Sequence, residues 1–173
     1  MIYALTEHRP WDWAIARGLK PIENRSWPPW PRLIGQLIAI HSGCTWDKGG
    51  AFEVSERVYP VDMPGPDAWP SGRIVAVARL VDGIRPGEDE RRRALAAYGA
   101  QAMDWYIGQY GWVLAAHDNP KAPVRPLPKP VLAIGKQGLW RLTDEQEAAV
   151  VHQLSIRPTL APVQVEHHQE SHP

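Results

Sequence analysis

Three charged residues that lie close together in the sequence, Lys20, Glu23 and Arg25, have the types and the spacing to form a polar site. Alternate side chains of an extended chain face opposite ways, but Pro21 is expected to turn Lys20 out of that alternation, so that the three charges converge. A cation held by a carboxylate is oriented, and an oriented cation beside an aromatic face suits a phosphate or a base edge. The same spacing also fits an ordinary surface ion pair, which contributes about 0 to 1 kcal/mol.

Tryptophan is abundant, with nine residues against a single Phe in 173. An indole can fill a core, or it can offer a flat face on which a base stacks. Trp11, Trp13 and Trp27 flank the charged residues and are the predicted stacking candidates. Trp112 and Trp140 lie in strand-like segments and are predicted to belong to the core.

Polar residues at the ends of predicted strands are further candidates. Arg79 lies near the end of a long apolar segment, where it either faces the same site or simply reaches solvent. His8 and His41 also lie at predicted strand ends, but a lone histidine is more often structural than a ligand, and no pair has the spacing of a metal site. We therefore expect no metal and no cofactor. Three C-terminal histidines are attributed to a polar tail in preference to a weak metal site: His167, His168 and His172.

The charge balance restricts the class of partner. Lys and Arg total 19, as do Asp and Glu, so no global positive field would draw the chain onto duplex DNA, and any nucleic-acid contact must be local. Cys44 is the single cysteine and cannot form an internal disulfide. No apolar run approaches the ~20 residues that a membrane-spanning helix needs, so we expect no membrane association and a cytoplasmic location.

Hydrophobic periodicity and turn residues predict strands separated by short helices. The predicted strands cover residues 2–5, 36–41, 73–82, 112–117 and 131–134, and the predicted helices cover 11–17, 46–59, 88–97 and 143–154. Residues 120–130 contain five prolines and are predicted to form an extended connector. This order indicates an α+β domain over residues 1–155, with a curled mixed or antiparallel sheet forming a small β-barrel packed with short helices. Residues 156–173 are predicted to be a disordered tail.

Several motifs, in the same order along the chain, resemble those of ASCH domains, which belong to the PUA-like superfamily. The family's G-x-K-x-x-E-x-R motif is matched at Gly18, Lys20, Glu23 and Arg25, after a P-W-x-W helix start at Pro10, Trp11 and Trp13. Similar segments follow at residues 35–43, at 70–72 before the long strand, and at 135–140, which resembles the closing G-K-Q-G-L-W turn. The resemblance spans about residues 2–142, and several motifs in order are far more specific than any one of them.

The resemblance implies a PUA-like barrel with a cleft between the first helix and the barrel, where the motif lysine and neighbouring polar groups contact a nucleotide. Members of the family are described as binding RNA or DNA. The expected partner is therefore single-stranded or modified nucleic acid, or a nucleotide. The residues expected to contact it are His8, Arg9, Trp11, Lys20, Glu23, Arg25, Ser26, Trp27, His41, Arg79, Lys136 and Gln137.

Two alternatives stay open. A few members of the family are hydrolases: one removes an acetyl group from N4-acylated cytidine and another cleaves RNA. In the amidohydrolase type the motif lysine works with a threonine three residues on, but Glu23 stands at that position here. A catalytic role would instead make Lys20 the base or nucleophile and Glu23 its orienting acid. The third possibility is a protein-interaction module that presents residues 120–130 as a polyproline surface.

Overall fold

The computed structural model describes residues 1–155 and is built around a curled seven-stranded sheet. The strands are β1 (Tyr3–Arg9), β2 (Ile22–Arg25), β3 (Leu37–Trp46), β4 (Arg73–Ile84), β5 (Tyr110–Ala116), β6 (Pro126–Leu132) and β7 (Leu139–Arg141). Their order across the sheet is β2-β5-β4-β3-β1-β7, and β6 pairs with β4 off this path. The β1–β3 pair is parallel and the other pairs are antiparallel, so the sheet is mixed.

Four α-helices pack around this sheet: α1 (Trp11–Ala16), α2 (Lys48–Val58), α3 (Glu88–Met103) and α4 (Asp144–Ser155). A 3-10 turn over Pro31–Leu33 joins β2 to β3. The core has three clusters, one under α1, one between α2, α3 and β5, and one between α4 and the β1–β7 edge. The predicted α+β class and the predicted curled mixed sheet with short helices packed around it are confirmed. None of the helices in residues 1–155 is long and apolar enough to cross a membrane.

Strands β2 and β7 were not among the predicted strands, and β1 and β3 extend beyond their predicted ends at residues 5 and 41. Two further elements differ from the sequence-based expectation. Strand β6 starts inside the proline-rich connector, at Pro126. Its pairing with β4 shifts register between Ala76↔Pro126 and Ile74↔Val131, so the segment with Pro128 and Pro130 bulges out of the ladder and needs no N–H groups from these prolines. The amide of the intervening Lys129 donates to the Gln153 side chain of α4, 2.8 Å away. Helix α3 continues beyond the predicted end at residue 97, but Gly99 interrupts it with a φ of +80°.

The domain boundary at residue 155 coincides with the end of α4. It stays a prediction, because the predicted tail over residues 156–173, with its three histidines, lies outside the described residues.

Candidate functional site

The charged motif follows a tight helix end that only glycine can form. Gly18 closes α1 with a φ of +72°, and a methyl group at its Cα would lie 2.6 Å from Pro123 Cβ. The amide of Lys20 still donates to Ala14 of α1, 3.0 Å away. The chain then enters β2, where Glu23 pairs with Trp112 of β5. The end of α1 and the start of β2 therefore fix the backbone on either side of the lysine.

Four charged side chains form a continuous buried network at this point. Lys20 Nζ donates to the Ile22 carbonyl at 2.7 Å and to the Glu23 carboxylate. Arg25 Nε lies 3.3 Å from the other oxygen of Glu23, and Arg25 Nη2 donates to Glu7 of β1. Lys20 is only 3% exposed and Glu23 only 6%. The structure thus brings the three motif charges together in the interior, not in the surface ion pair that the spacing also allowed.

The two carboxyl groups of the network have very different proton affinities. Burial, with the nearby charge of Glu23, raises the pKa of Glu7 to about 8, although Arg25 and Lys20 act in the opposite direction. Burial would also raise the pKa of Glu23, but the positive charges of Lys20 and Arg25 outweigh it and hold that pKa below its ordinary value. Glu7 therefore holds a proton near neutral pH while Glu23 is ionised.

This network forms one wall of a cleft of about 330 Å³ between α1, α2 and the sheet. That volume lies within the range of small-molecule sites. The cleft is lined by Thr6, Glu7, His8, Trp11, Lys20, Glu23, Asn24, Arg25, Glu53, Arg57, Trp105 and Ile107. The cleft therefore combines two indoles with three cations and three carboxyl groups.

Trp11 is held in a fixed orientation at the cleft. Its Nε1 donates to Asp47 Oδ2 at 3.0 Å, and Asp47 also accepts from the Gly50 amide at the start of α2. These hydrogen bonds lower the pKa of Asp47, so the acceptor stays ionised. The absence of a side chain at Gly50 lets α2 approach the indole closely, and Lys20 Nζ lies 5.9 Å from the ring centroid. The ring is partly exposed and can accept a stacked partner on its free surface.

Sequence reasoning missed seven of the twelve residues that line the cleft, among them Glu7, Arg57 and Trp105. Arg57 of α2 stacks on Trp105, with 5.2 Å between its guanidinium carbon and the ring centroid, and it donates to Glu53. Trp105 follows α3 and is only 6% exposed. Glu7 could have been predicted as a site residue, because it is a charged residue at an alternating position of β1. No feature of the neighbouring sequence indicates Arg57 or Trp105, which reach the cleft through packing between distant segments.

A second cleft of about 680 Å³ adjoins the first on the other side of Arg25. The two share Thr6, His8 and Arg25. The second cleft also contains the predicted site residues His41, Lys136 and Gln137. His41 is buried there, and its Nε2 lies 3.1 Å from the Ala133 carbonyl. Burial lowers the pKa of His41, so the ring is neutral near pH 7.

Arg9, a predicted contact residue, lies in neither cleft. Its guanidinium donates to Pro66 O at 2.7 Å and to Cys44 O at 2.8 Å, and it lies over the Trp46 ring. The pairing of β1 with β3 is irregular between Glu7 and Arg9, which breaks the simple alternation of side chains. Arg9 therefore fastens the loop before β4 to the sheet and is not positioned to contact a ligand in either cleft.

Arg79 is also misplaced by the sequence analysis. It pairs across the sheet with Leu37 at the start of β3, whereas the cleft lies near Ser42, the partner of Glu7, about 17 Å further along the strands. Its guanidinium donates to His117 O at 2.6 Å and to Gly35 O at 2.5 Å. These bonds tie two turns together at the far end of the sheet.

Three other predicted residues lie outside both clefts. Trp13 is buried in the core beside α2, so its stacking role was wrong. Trp27 packs edge-on against Trp112, with ring centroids 4.8 Å apart, and its backbone carbonyl accepts from the Trp112 indole. Ser26 is exposed at the end of β2.

Trp112 and Trp140 are core residues, as expected. Within residues 1–155, no three His, Cys, Asp or Glu side chains cluster in a way that could hold a metal ion.

Comparison with known proteins gives structural neighbours only. No protein-family model matches the sequence, and no curated protein does. The crystal structure of ASCH from Zymomonas mobilis is similar at a TM-score of 0.50 and 16% identity, covering 87% of this chain and 94% of that one. Two single-residue mutants of the same protein align with TM-scores of 0.48, at 17% and 18% identity, covering 87% of this chain and 96% and 94% of theirs. The similarity to the first of these structures shows that the chain has the fold of the ASCH domains.

Proposed function

We propose that this protein binds single-stranded or modified nucleic acid, or a nucleotide, with a base inserted in the cleft beside the G-x-K-x-x-E-x-R motif. The observation that carries the proposal is the pairing of an anchored, partly exposed indole, Trp11, with a buried and oriented network of charged groups. A flat aromatic face supports any base by stacking, which contributes about 1 to 3 kcal/mol per base. Oriented cations and carboxyl groups beside it supply donors and acceptors for a base edge.

The charge of the cleft indicates how it would hold a ligand. Lys20, Arg25 and Arg57 are only partly offset there by Glu23 and Glu53, because the third carboxyl group, that of Glu7, holds a proton near neutral pH. Because the remaining excess of positive charge is small, the base-binding step is expected to depend only modestly on salt. Affinity would come from stacking and hydrogen bonding in a partly buried pocket and much less from a long-range field.

A tryptophan-fluorescence titration with single-stranded RNA, single-stranded DNA, duplex and free modified cytidines tests the proposal. We expect saturable quenching by at least one single-stranded or nucleoside ligand, and its loss in Lys20→Ala and in Trp11→Ala. Lys129→Ala and Trp30→Ala are the matched controls, because both residues are exposed and line neither cleft. If Lys129→Ala and Trp30→Ala lose binding equally, or if no ligand binds wild type at low salt, the proposal is wrong.

A hydrolase acting on a modified nucleoside or on RNA is the second candidate. The observation that favours it is the pair of neighbouring carboxyl groups whose pKa values are pushed apart, Glu7 upwards and Glu23 downwards. Such a pair can supply one proton donor and one ionised partner in the same cleft. Lys20 would then act as base or nucleophile, with Glu23 orienting it.

Product analysis separates the two candidates. Acylated nucleosides and RNA are incubated with wild type, Lys20→Ala and Glu7→Gln, and the mixtures are separated by chromatography. An enzyme would release product that disappears in both variants while ligand binding persists in Glu7→Gln. Intact substrates after long incubation with wild type, together with saturable binding, would leave the binding function and eliminate the hydrolase.

A further inference from the structure

The second cleft differs from the first in its chemistry. Its walls come from the end of β3, from Ser71 and Gly72 before β4, and from residues 132–138. Hydrogen bonds from the Gly72 amide to Ser42 O, 2.8 Å, and from the Ala133 amide to Gly72 O, 3.1 Å, hold these segments together. The walls are therefore braced by backbone hydrogen bonds.

No Asp or Glu side chain lines the second cleft. Lys136 is exposed on its rim and makes no ion pair with any residue in the range 1–155. Arg25 stands at the junction, shared with the first cleft. The first cleft offsets much of its positive charge with carboxyl groups, and Arg25 is paired with two of them, whereas Lys136 in the second cleft has no carboxylate beside it. A negatively charged group is thus favoured beside Lys136.

The other lining groups also suit an anion better than a base. No Trp, Tyr or Phe ring lines this cleft, so it has no platform for stacking. Ser71 and Gln137 can donate hydrogen bonds, and the glycines of the closing turn leave the backbone open to a ligand. His41 is buried in the wall, and because its Nε2 donates to the Ala133 carbonyl, Nδ1 of the neutral ring is an acceptor without a partner in residues 1–155; it can accept from a hydroxyl group of the ligand but does not contact the anion.

We infer that the second cleft holds the phosphodiester that follows the base bound in the first cleft. The ligand is then a strand of at least two nucleotides that passes over Arg25, and a free nucleoside fills only half of the site. This inference rests on the proposed function, because it takes the first cleft as the base pocket. Lys136 supplies the charge for the phosphate, and Arg25 contacts both halves of the ligand.

Calorimetric titration of the full chain tests this inference with ribonucleosides, their 3′- and 5′-monophosphates, and dinucleoside monophosphates. We expect a dinucleoside monophosphate to bind about tenfold more tightly than the nucleoside, the factor that corresponds to about 1.4 kcal/mol. It should also bind more tightly than either monophosphate. Lys136→Gln should remove most of this gain and leave nucleoside affinity unchanged. Lys129→Gln, an exposed lysine outside both clefts, should change neither.

Three results would overturn it in distinguishable ways. Equal affinity of wild type for nucleoside and dinucleoside monophosphate would remove the second subsite and leave the base pocket. Monophosphates that match the dinucleoside would show that the cleft takes a terminal phosphate and not a continuing strand. Lack of binding by every probe would refute the proposed function together with the inference.

Discussion

The buried carboxyl of Glu7 makes the stability of the fold depend on pH in a direction opposite to that of an ordinary paired carboxylate. Its pKa is raised from 4.5 to about 8 in the folded protein. Between those two values the folded chain keeps a proton that the unfolded chain has released, so the free energy of unfolding falls as the pH rises. At one pKa unit per 1.36 kcal/mol, the full difference is about 5 kcal/mol, and about 1 kcal/mol of it falls between pH 7 and pH 8.

Glu7→Gln removes the titrating group and keeps an acceptor for Arg25. We expect urea midpoints of wild type to fall between about pH 7 and pH 8, and those of Glu7→Gln to stay nearly constant. Two other buried groups titrate mainly below this window: burial raises the pKa of Asp12 to about 6 and lowers that of His41. Because both remain in the variant, the difference between the two proteins isolates Glu7.

Glu53→Gln is the matched control, since Glu53 lines the same cleft but is much more exposed. Its unfolding should follow the wild-type pH dependence. A wild-type midpoint that is flat or rises between about pH 7 and pH 8, or a Glu7→Gln protein that keeps the wild-type slope, would refute the reasoning on the buried network.

Two further substitutions test how the cleft is supported. Arg9→Ala should lower the free energy of unfolding by about 2 to 4 kcal/mol in urea denaturation, because two charged hydrogen bonds to carbonyls are lost. The control Arg17→Ala, at an exposed residue, should change the free energy of unfolding only slightly. Equal losses in the two variants would contradict the role given to Arg9. Gly50→Ala should weaken the quenching of tryptophan fluorescence by the ligand, because the new methyl group displaces the Trp11 indole. In the control Gly49→Ala the methyl group meets only an Asp47 oxygen at 3.6 Å, so this variant should bind as wild type and gain up to about 1 kcal/mol of helix stability. Unchanged binding by Gly50→Ala would show that the position of the indole is unimportant.

The local part of the site could be predicted from the sequence. Gly18, Lys20, Glu23 and Arg25 lie within eight residues, and a helix end followed by a strand brings them together. Repeated apolar strands and short helices also indicated the curled mixed sheet. These features depend on neighbouring residues, which is where periodicity and turn chemistry carry information.

The remaining parts depend on packing between distant segments. Glu7 contacts Arg25 although β1 and β2 are not neighbours in the sheet. Arg57 of α2 contacts Trp105, which follows α3 and lies far from it in the sequence. Arg9 lies close to the motif in sequence, but the irregular β1–β3 pairing next to it gives it a structural role. An alternation pattern cannot reveal such an irregularity before the partner strand is known.

The central claim, that a base enters the cleft beside Trp11, is tested most directly by NMR of the tryptophan indole N–H signals during titration with a single-stranded oligonucleotide. Single Trp→Phe variants assign the signals, because each variant lacks the indole N–H signal of the replaced residue. We predict saturable shifts of Trp11, together with its cleft neighbour Trp105, while Trp30, which lines neither cleft, stays unchanged. Shifts of Trp30 without Trp11, or no shift of any indole at saturating ligand, would contradict the account.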